Sequence, residues 1–133
     1  MPYVLDASVA ASWVLPDEHH AVAELALART EEDAATAPWL LRFELRNILI
    51  VAERRGRLQA PKTEEALLRL SKLSIALDGA PDEFATIALA RRHRLTVYDA
   101  AYLELALRKA IPLATLDVAL AEAARSEGVS LIE

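Results

Sequence analysis

The chain has 133 residues, 54% of them hydrophobic, and a formal net charge of −5 at pH 7. This length favours a single domain over residues 1–133, and this hydrophobicity argues against disorder. The absence of cysteine excludes disulfides, thiolate zinc sites and cysteine nucleophiles, and the acidic balance argues against a simple nucleic-acid-binding module, which is usually basic.

Neither end of the chain predicts export or membrane insertion. The N-terminus lacks the basic segment of a signal peptide, and the longest apolar run, "NILIVA", falls well short of the ~18 residues of a membrane span. We therefore expect a cytoplasmic protein without a membrane segment.

Short apolar segments alternate with helical ones along the chain. Tyr3–Leu5 predicts a buried strand, followed by a helix from residue 7 to 14 and a second helix from 17 or 18 to about 30. A weak strand is expected at 34–38, and a helix from Pro38 to Arg55, closed by Gly56.

The second half continues this alternation. A helix at 60–73, a strand at 74–77 and helices at 82–94 and 96–110 are followed by a strand at 112–115, a helix at 117–127 and a last strand at 129–132. Short apolar strands between helices predict an α/β fold with a mainly parallel sheet that is covered on both faces.

Three acids stand where a strand or loop gives way to a helix. Asp6 follows "YVL" and Asp117 follows "PLAT", and each has helix N-cap as its ordinary role. Asp99 has the spacing of a capping box with Thr96. The carboxyl ends of parallel strands are also where ligands bind, so all three are site candidates.

Glu44 lies inside the helix "WLLRFELRNILIVAERR", where no cap explains it. At about 100° per residue it falls in the apolar arc with Leu41, Ile48 and Val51. An unpaired carboxylate there is costly. Acids that converge at one sheet edge repel each other unless a cation neutralises them, and oxygen ligands without His or Cys indicate Mg²⁺ or Mn²⁺.

The stretches "VLDASV", "ELRNIL", "TVYDAAYLELA" and "LATLD", in this order and spacing, resemble the motif series of PIN-domain ribonucleases, especially the toxins of VapBC-type toxin–antitoxin pairs. The resemblance covers nearly the whole chain and implies a three-layer α/β/α sandwich with about five short strands. It assigns Asp6, Glu44, Asp99 and Asp117 to a catalytic metal site. Ser8, Thr115 and Asn47 match the hydroxyl and amide positions beside these acids.

This resemblance also implies a mechanism and partners. We expect an endoribonuclease that hydrolyses RNA with a water activated by Mg²⁺ or Mn²⁺, leaving a 5′-phosphate and a 3′-hydroxyl. A cognate antitoxin protein, a homodimer and a toxin–antitoxin hetero-oligomer are expected. Arginine clusters offer local contacts for RNA, without singling out individual members: Arg42, Arg46, Arg54, Arg55 and Arg57, and Arg91, Arg92 and Arg94 with His93.

Other readings and residues remain. A receiver-like phosphoacceptor domain has similar length but needs paired acids after the first strand, where Asp6 stands alone. A non-catalytic interaction module with the same fold is the other alternative. Asp82 is a weaker candidate at the border of the site, and Trp13 and Trp39 are expected in the core or an interface rather than as base-stacking platforms. His19 and His20 are expected at the surface.

Overall fold

The first strand of the chain lies in the middle of the sheet, and later strands add on both sides of it. The computed structural model describes all 133 residues and contains four strands: β1 (Tyr3–Leu5), β2 (Ala35–Pro38), β3 (Ile75–Asp78) and β4 (Leu113–Ala114). Their order is β3-β2-β1-β4, and every pairing is parallel. The predicted α/β fold with a parallel sheet is confirmed.

The strand predicted at 129–132 is reduced to a single parallel bridge between Leu113 and Leu131. The Leu113 amide donates to the Ser130 carbonyl at 2.9 Å, and the Ile132 amide donates to the Leu113 carbonyl at 3.0 Å. Because β4 has only two residues, it offers no further backbone groups for a longer ladder.

Seven helices connect and cover the strands. They are α1 (Ala7–Val14), α2 (Ala21–Glu32), α3 (Leu41–Arg54), α4 (Ala60–Ser71), α5 (Glu83–His93), α6 (Val97–Lys109) and α7 (Val118–Ser126). None of them combines the length and the apolar character that crossing a bilayer requires.

Two helices begin later than the sequence predicts. Asp17 and Glu18 do not open α2, because both bind the Arg57 guanidinium, at 2.8 and 3.1 Å. Pro38 does not open α3 but ends β2, where it pairs with Asp78. Proline lacks a backbone donor and is tolerated at such a strand end, and the next residue, Trp39, donates to the Asp78 carbonyl at 3.0 Å.

The core lies between the sheet and the helices. Helix α6 packs on β1, β2 and β4 and contacts α5 and α7, whereas α1 packs against α2 and α3, and α3 against α4. Leu5, Leu103 and Leu113 are fully buried where β1, α6 and β4 meet. Burial of α6 against three strands fixes its first turn relative to the strand ends.

Candidate metal centre

The predicted acids lie on elements that end or begin at one edge of the sheet. Asp6 directly follows β1 and Asp117 follows the neighbouring strand β4, and the Asp6 amide still donates to the Ala114 carbonyl at 3.1 Å. Glu44 comes from the first turn of α3, which follows β2, and Asp99 from the first turn of α6. Parallel strands therefore bring residues far apart in the chain to one edge.

Asp6 is held by hydroxyl groups rather than acting as a helix cap. Its side chain makes no capping hydrogen bond. Instead, Ser8 Oγ and Thr115 Oγ1 both donate to Asp6 Oδ2 at 2.7 Å. The hydroxyls are themselves fixed, because the Leu116 amide donates to Ser8 Oγ and the Asp117 amide to Thr115 Oγ1, each at 3.0 Å. The orientation of Asp6 thus depends on both flanking segments.

Burial makes the charge on Asp6 costly. The residue is only 4% exposed, and this burial raises the pKa of its carboxyl group. The hydrogen bonds from Ser8 and Thr115 oppose the rise, whereas the negative charge of Asp117 adds to it. An acid of this kind favours a nearby cation over solvent.

Glu44 lies at the edge of the buried stripe of α3 rather than in its centre. The buried residues of this helix are Leu41, Leu45, Leu49 and Ala52, and Glu44 is half-buried beside them. The Tyr102 hydroxyl donates to Glu44 Oε1 at 2.9 Å. No cation pairs with Glu44, so the structure excludes the buried ion pair that a lone inward acid would otherwise require.

The pKa of Glu44 is raised, first by burial and further by the negative charges of Asp6 and Asp99, against the hydrogen bond from Tyr102. The pKa of Asp99 is also raised by burial and by the charges of Asp6 and Asp117. The negative charge of Asp6 thus acts on both Glu44 and Asp99, and that of Asp117 acts on both Asp6 and Asp99.

Asp99 and Asp117 differ in whether their side chains cap the helices that they begin. The Asp99 amide donates to Thr96 Oγ1 at 3.1 Å, so Thr96 caps α6 as predicted. Asp117 does cap α7, because the Leu120 amide donates to Asp117 Oδ1 at 2.8 Å. The second carboxylate oxygen of Asp117 accepts no hydrogen bond, and the same is true of Glu44.

Four other residues noted in the sequence have no hydrogen bond to these acids. Asn47 is exposed and its amide makes no hydrogen bond. Asp82 caps α5, since it accepts from the Ala85 amide at 3.0 Å. His19 and His20 are exposed, as expected.

The arrangement fits a hydrated hard cation better than a dehydrated one. No three acidic or histidine side chains in the structure are arranged to hold one ion directly. The donors are all carboxylate oxygens, which suits Mg²⁺ or Mn²⁺, and Mg²⁺ usually keeps several waters and binds one or two carboxylates. Water molecules would therefore bridge some of the distance between these acids and an ion.

Comparison with known proteins identifies the family. The PIN domain model matches residues 3–126 of this chain. The chain belongs to the PIN domain family. Among curated proteins, Ribonuclease VapC3 from Pyrobaculum aerophilum is 36% identical over 128 residues, which cover 92% of this chain and 94% of the relative. The resemblance to VapC-type PIN-domain proteins is thereby confirmed.

Two solved structures support the PIN fold. PAE2754 from Pyrobaculum aerophilum superposes with a TM-score of 0.75 at 22% identity, covering 99% of this chain and 90% of that one. FitAcB from Neisseria gonorrhoeae gives a TM-score of 0.66 at 18% identity, covering 100% of this chain and 97% of that one. At these identities the likeness shows the fold alone.

Two features of this PIN domain were not found from the sequence. Tyr102 lies one helical turn after Asp99. Its side chain is fully buried, and its hydroxyl donates a hydrogen bond to Glu44. Farther along α6, the Arg108 guanidinium binds both Glu104, which is 3% exposed, and Asp78 at the end of β3. The i, i+4 spacing of Glu104 and Arg108 was the only sequence signal for this second group.

Proposed function

We propose that this PIN domain is a divalent-metal-dependent endoribonuclease, acting in the cytoplasm as the toxin of a toxin–antitoxin pair. The position of Asp6, Glu44, Asp99 and Asp117 at one sheet edge supports it most strongly, and the pKa values of Asp6, Glu44 and Asp99 are raised in part by the charges of neighbouring acids in this set. The 36% identity to a protein named Ribonuclease VapC3 supports RNA as the substrate class.

In this proposal Asp6, Asp99 and Asp117 hold Mg²⁺ or Mn²⁺ together, with no more than two of them binding the ion directly and the rest binding through water. When bound, such an ion lowers the pKa of a coordinated water and offsets negative charge on the phosphate oxygens. Ser8 and Thr115 keep Asp6 in one orientation through their two 2.7 Å hydrogen bonds. Residues that orient a metal ligand in this way typically change metal affinity or activity 10–100-fold when removed.

Glu44 takes part in positioning the attacking water. Tyr102 fixes its Oε1, so that Oε2 is free to accept a hydrogen bond from that water. A raised pKa brings this carboxylate closer to neutrality, which suits a proton acceptor. In-line attack on phosphorus breaks the bond to the 3′-oxygen, which takes up a proton and leaves as a 3′-hydroxyl, while the 5′-phosphate remains on the other fragment.

A protein partner, the cognate antitoxin, is part of the proposal, together with a homodimer and a toxin–antitoxin hetero-oligomer. A mostly apolar cavity of about 330 Å³ between α3, α4 and β3 has room for a partner segment. Leu45, Leu70 and Ile75 contribute to its walls, and Arg42 and Arg46 lie among the residues lining it.

The two alternative functions differ in what bears on them: the structure and the family match for one, and an experiment for the other. A receiver-like phosphoacceptor would need an accessible aspartate, whereas Asp6 is 4% exposed and bonded to two hydroxyls, and the family match is to the PIN domain. A non-catalytic module of the same fold predicts no RNA cleavage, so the experiment below separates it from the proposal.

The test is incubation of the partner-free protein with total cellular RNA, with and without Mg²⁺, followed by mapping of the cut ends. We expect Mg²⁺-dependent cuts with 5′-phosphate ends, and their loss in Asp6→Asn. Asp82→Asn is the matched control, because it also removes one acid from a helix start while asparagine keeps the cap. Cleavage by Asp6→Asn at the wild-type rate would overturn the assignment.

A further inference from the structure

Two aromatic side chains beside the acidic site face solvent. Trp39 is 51% exposed and Phe43 is 62% exposed, and their ring centroids lie 5.1 Å apart at an interplanar angle of 52°. For Trp39 the sequence led us to expect the core or an interface rather than base stacking, and its exposure excludes only the core position. Large aromatic side chains that stay exposed in a folded protein are a recurring feature of binding surfaces.

The aromatic pair borders the proposed catalytic acids. Trp39 directly follows β2, the neighbour of β1, and its amide is anchored on the Asp78 carbonyl at 3.0 Å. Phe43 immediately precedes Glu44 on the first turn of α3. Because neighbouring strands lie only about 4.8 Å apart, the pair stands at the same sheet edge as the residue that follows β1, Asp6.

The same turns of α3 carry positive charge that no acid neutralises. Arg42 and Arg46 are exposed, and neither lies within 4.0 Å of a carboxylate, whereas Arg57 and Arg92 are paired with acids. Arg46 Nη1 instead donates to the Arg42 carbonyl at 2.9 Å, which keeps it along the helix. In a chain of net charge −5, two unpaired arginines on the same turns of α3 as the aromatic rings favour an anionic ligand there.

We propose that Trp39 and Phe43 form a base-stacking subsite for single-stranded RNA, with Arg42 and Arg46 contacting the adjoining phosphates. This inference rests on the proposed ribonuclease function and adds how the nucleotide next to the cleaved bond is held. Unpaired bases stack on aromatic rings, and guanidinium groups bind the backbone between them. A duplex does not offer its bases in this way, so the subsite selects single strands.

A protein segment is the competing occupant, because Arg42 and Arg46 also line the apolar cavity between α3 and α4. Trp39 and Phe43 are not among the residues that line this cavity. The aromatic pair and the cavity are therefore separate surfaces that share two arginines. A single-stranded RNA would contact both the exposed aromatic rings and the arginines beside Glu44, whereas a protein segment in the cavity would contact only the arginines.

The test measures RNA binding without cleavage, in the Asp6→Asn background with Mg²⁺. The probe is a fluorescein-labelled single-stranded oligoribonucleotide, followed by anisotropy, and unlabelled RNA is used to follow quenching of tryptophan fluorescence. Trp39→Ala and Phe43→Ala should each weaken binding about tenfold. Trp39→Ala should also remove the quenching, whereas Trp39→Tyr should retain most of the affinity because it keeps a ring.

Controls separate stacking from general effects. Leu25→Ala removes an equally exposed apolar side chain (50%) from α2 beside Met1 and should leave binding unchanged. A duplex of the same sequence should bind the wild-type protein and the two alanine variants with equal affinity. Arg42→Gln and Arg46→Gln should each lower the slope of log affinity against log salt by about 0.7.

Unchanged single-strand affinity in both aromatic variants would overturn the subsite while leaving the nuclease proposal intact, provided that the wild type still cuts RNA. Unchanged affinity together with an altered oligomeric state in sedimentation would assign the aromatic pair to a protein contact instead. If the wild type neither cuts nor binds RNA, both the subsite and the proposed function are wrong.

Discussion

Replacing Arg108 by methionine tests whether one guanidinium holds α6 against the end of β3. Arg108 Nε and Nη2 donate to the two oxygens of Glu104 at 2.8 and 3.2 Å, and Nη2 also donates to Asp78 Oδ2 at 2.6 Å. The Glu104 side chain is only 3% exposed. Methionine fills a similar volume but leaves a buried carboxylate without a partner.

The expected cost follows from this burial. Removing one partner of a buried ion pair typically costs ~3–5 kcal/mol. Since the Arg108 side chain is itself 31% exposed, we expect the lower end, about 3 kcal/mol. The entropy of unfolding scales with chain length, so for 133 residues this corresponds to a fall in melting temperature of about 10 °C.

Urea and thermal denaturation of four variants would check the estimate: Arg108→Met, Glu104→Gln, the double variant and a control. Glu104→Gln together with Arg108→Met removes both the buried charge and its partner, so the double variant should recover to within ~1 kcal/mol of the wild type. Arg125→Met is the matched control, because its pair with Glu133 is exposed on both sides and should change stability by less than ~1 kcal/mol. A cost below ~1 kcal/mol for Arg108→Met, or a double variant as unstable as the sum of the singles, would refute the reasoning.

Three further predictions concern the acidic site. Asp6→Asn should raise the melting temperature of the metal-free protein and abolish its shift with millimolar Mg²⁺, because burial raises the Asp6 pKa and the charge destabilises the folded state at neutral pH. Raised pKa values at Asp6, Glu44 and Asp99 mean that the folded state holds more protons than the unfolded one. The stability advantage of Asp6→Asn over the wild type should therefore grow as the pH rises from the ordinary pKa of these carboxyl groups to their raised pKa. Because Mg²⁺ needs deprotonated carboxylates, it should stabilise the wild type more at about pH 8 than at about pH 5. Tyr102→Phe, which loses the 2.9 Å bond to Glu44, should cost ~1 kcal/mol of stability yet slow RNA cleavage about tenfold in turnover.

Each of these outcomes can fail separately. A lower melting temperature for metal-free Asp6→Asn would mean that its hydrogen bonds to Ser8 and Thr115 outweigh the burial of charge. A Mg²⁺ shift that does not depend on pH would place the ion away from these acids. Wild-type turnover in Tyr102→Phe would show that Glu44 needs no orientation.

The order of strands and helices was predictable from the sequence because short apolar segments alternate with helical ones. Boundaries failed where a long-range contact decided them: Asp17 looks like a helix start until Arg57, 40 residues later, binds it. Pro38 suits a helix start equally well, but pairing with β3 keeps it in a strand. Local signals cannot report contacts between distant segments.

The acids of the proposed site were chosen from local signals and from the family resemblance: Asp6, Asp99 and Asp117 from their positions at helix starts, and Glu44 from its place in the apolar arc of its helix. Which of them cap their helices was not, since Asp6 and Asp117 follow similar strands yet only Asp117 caps. The Tyr102–Glu44 bond joins residues 58 apart, and nothing local to α6 distinguishes Tyr102 from a core residue. The exposure of Trp39 likewise depends on which surfaces the fold leaves uncovered.

The place of β1 at the centre of the sheet has a consequence during translation. Of the four strands β1 is made first, but one of its two neighbours, β4, is made last. A nascent chain therefore carries Asp6 without the hydroxyl of Thr115, 109 residues later, or the carboxylate of Asp117. The emerging polypeptide therefore lacks the full set of these acids until the segment that contains β4 and Asp117 has been made.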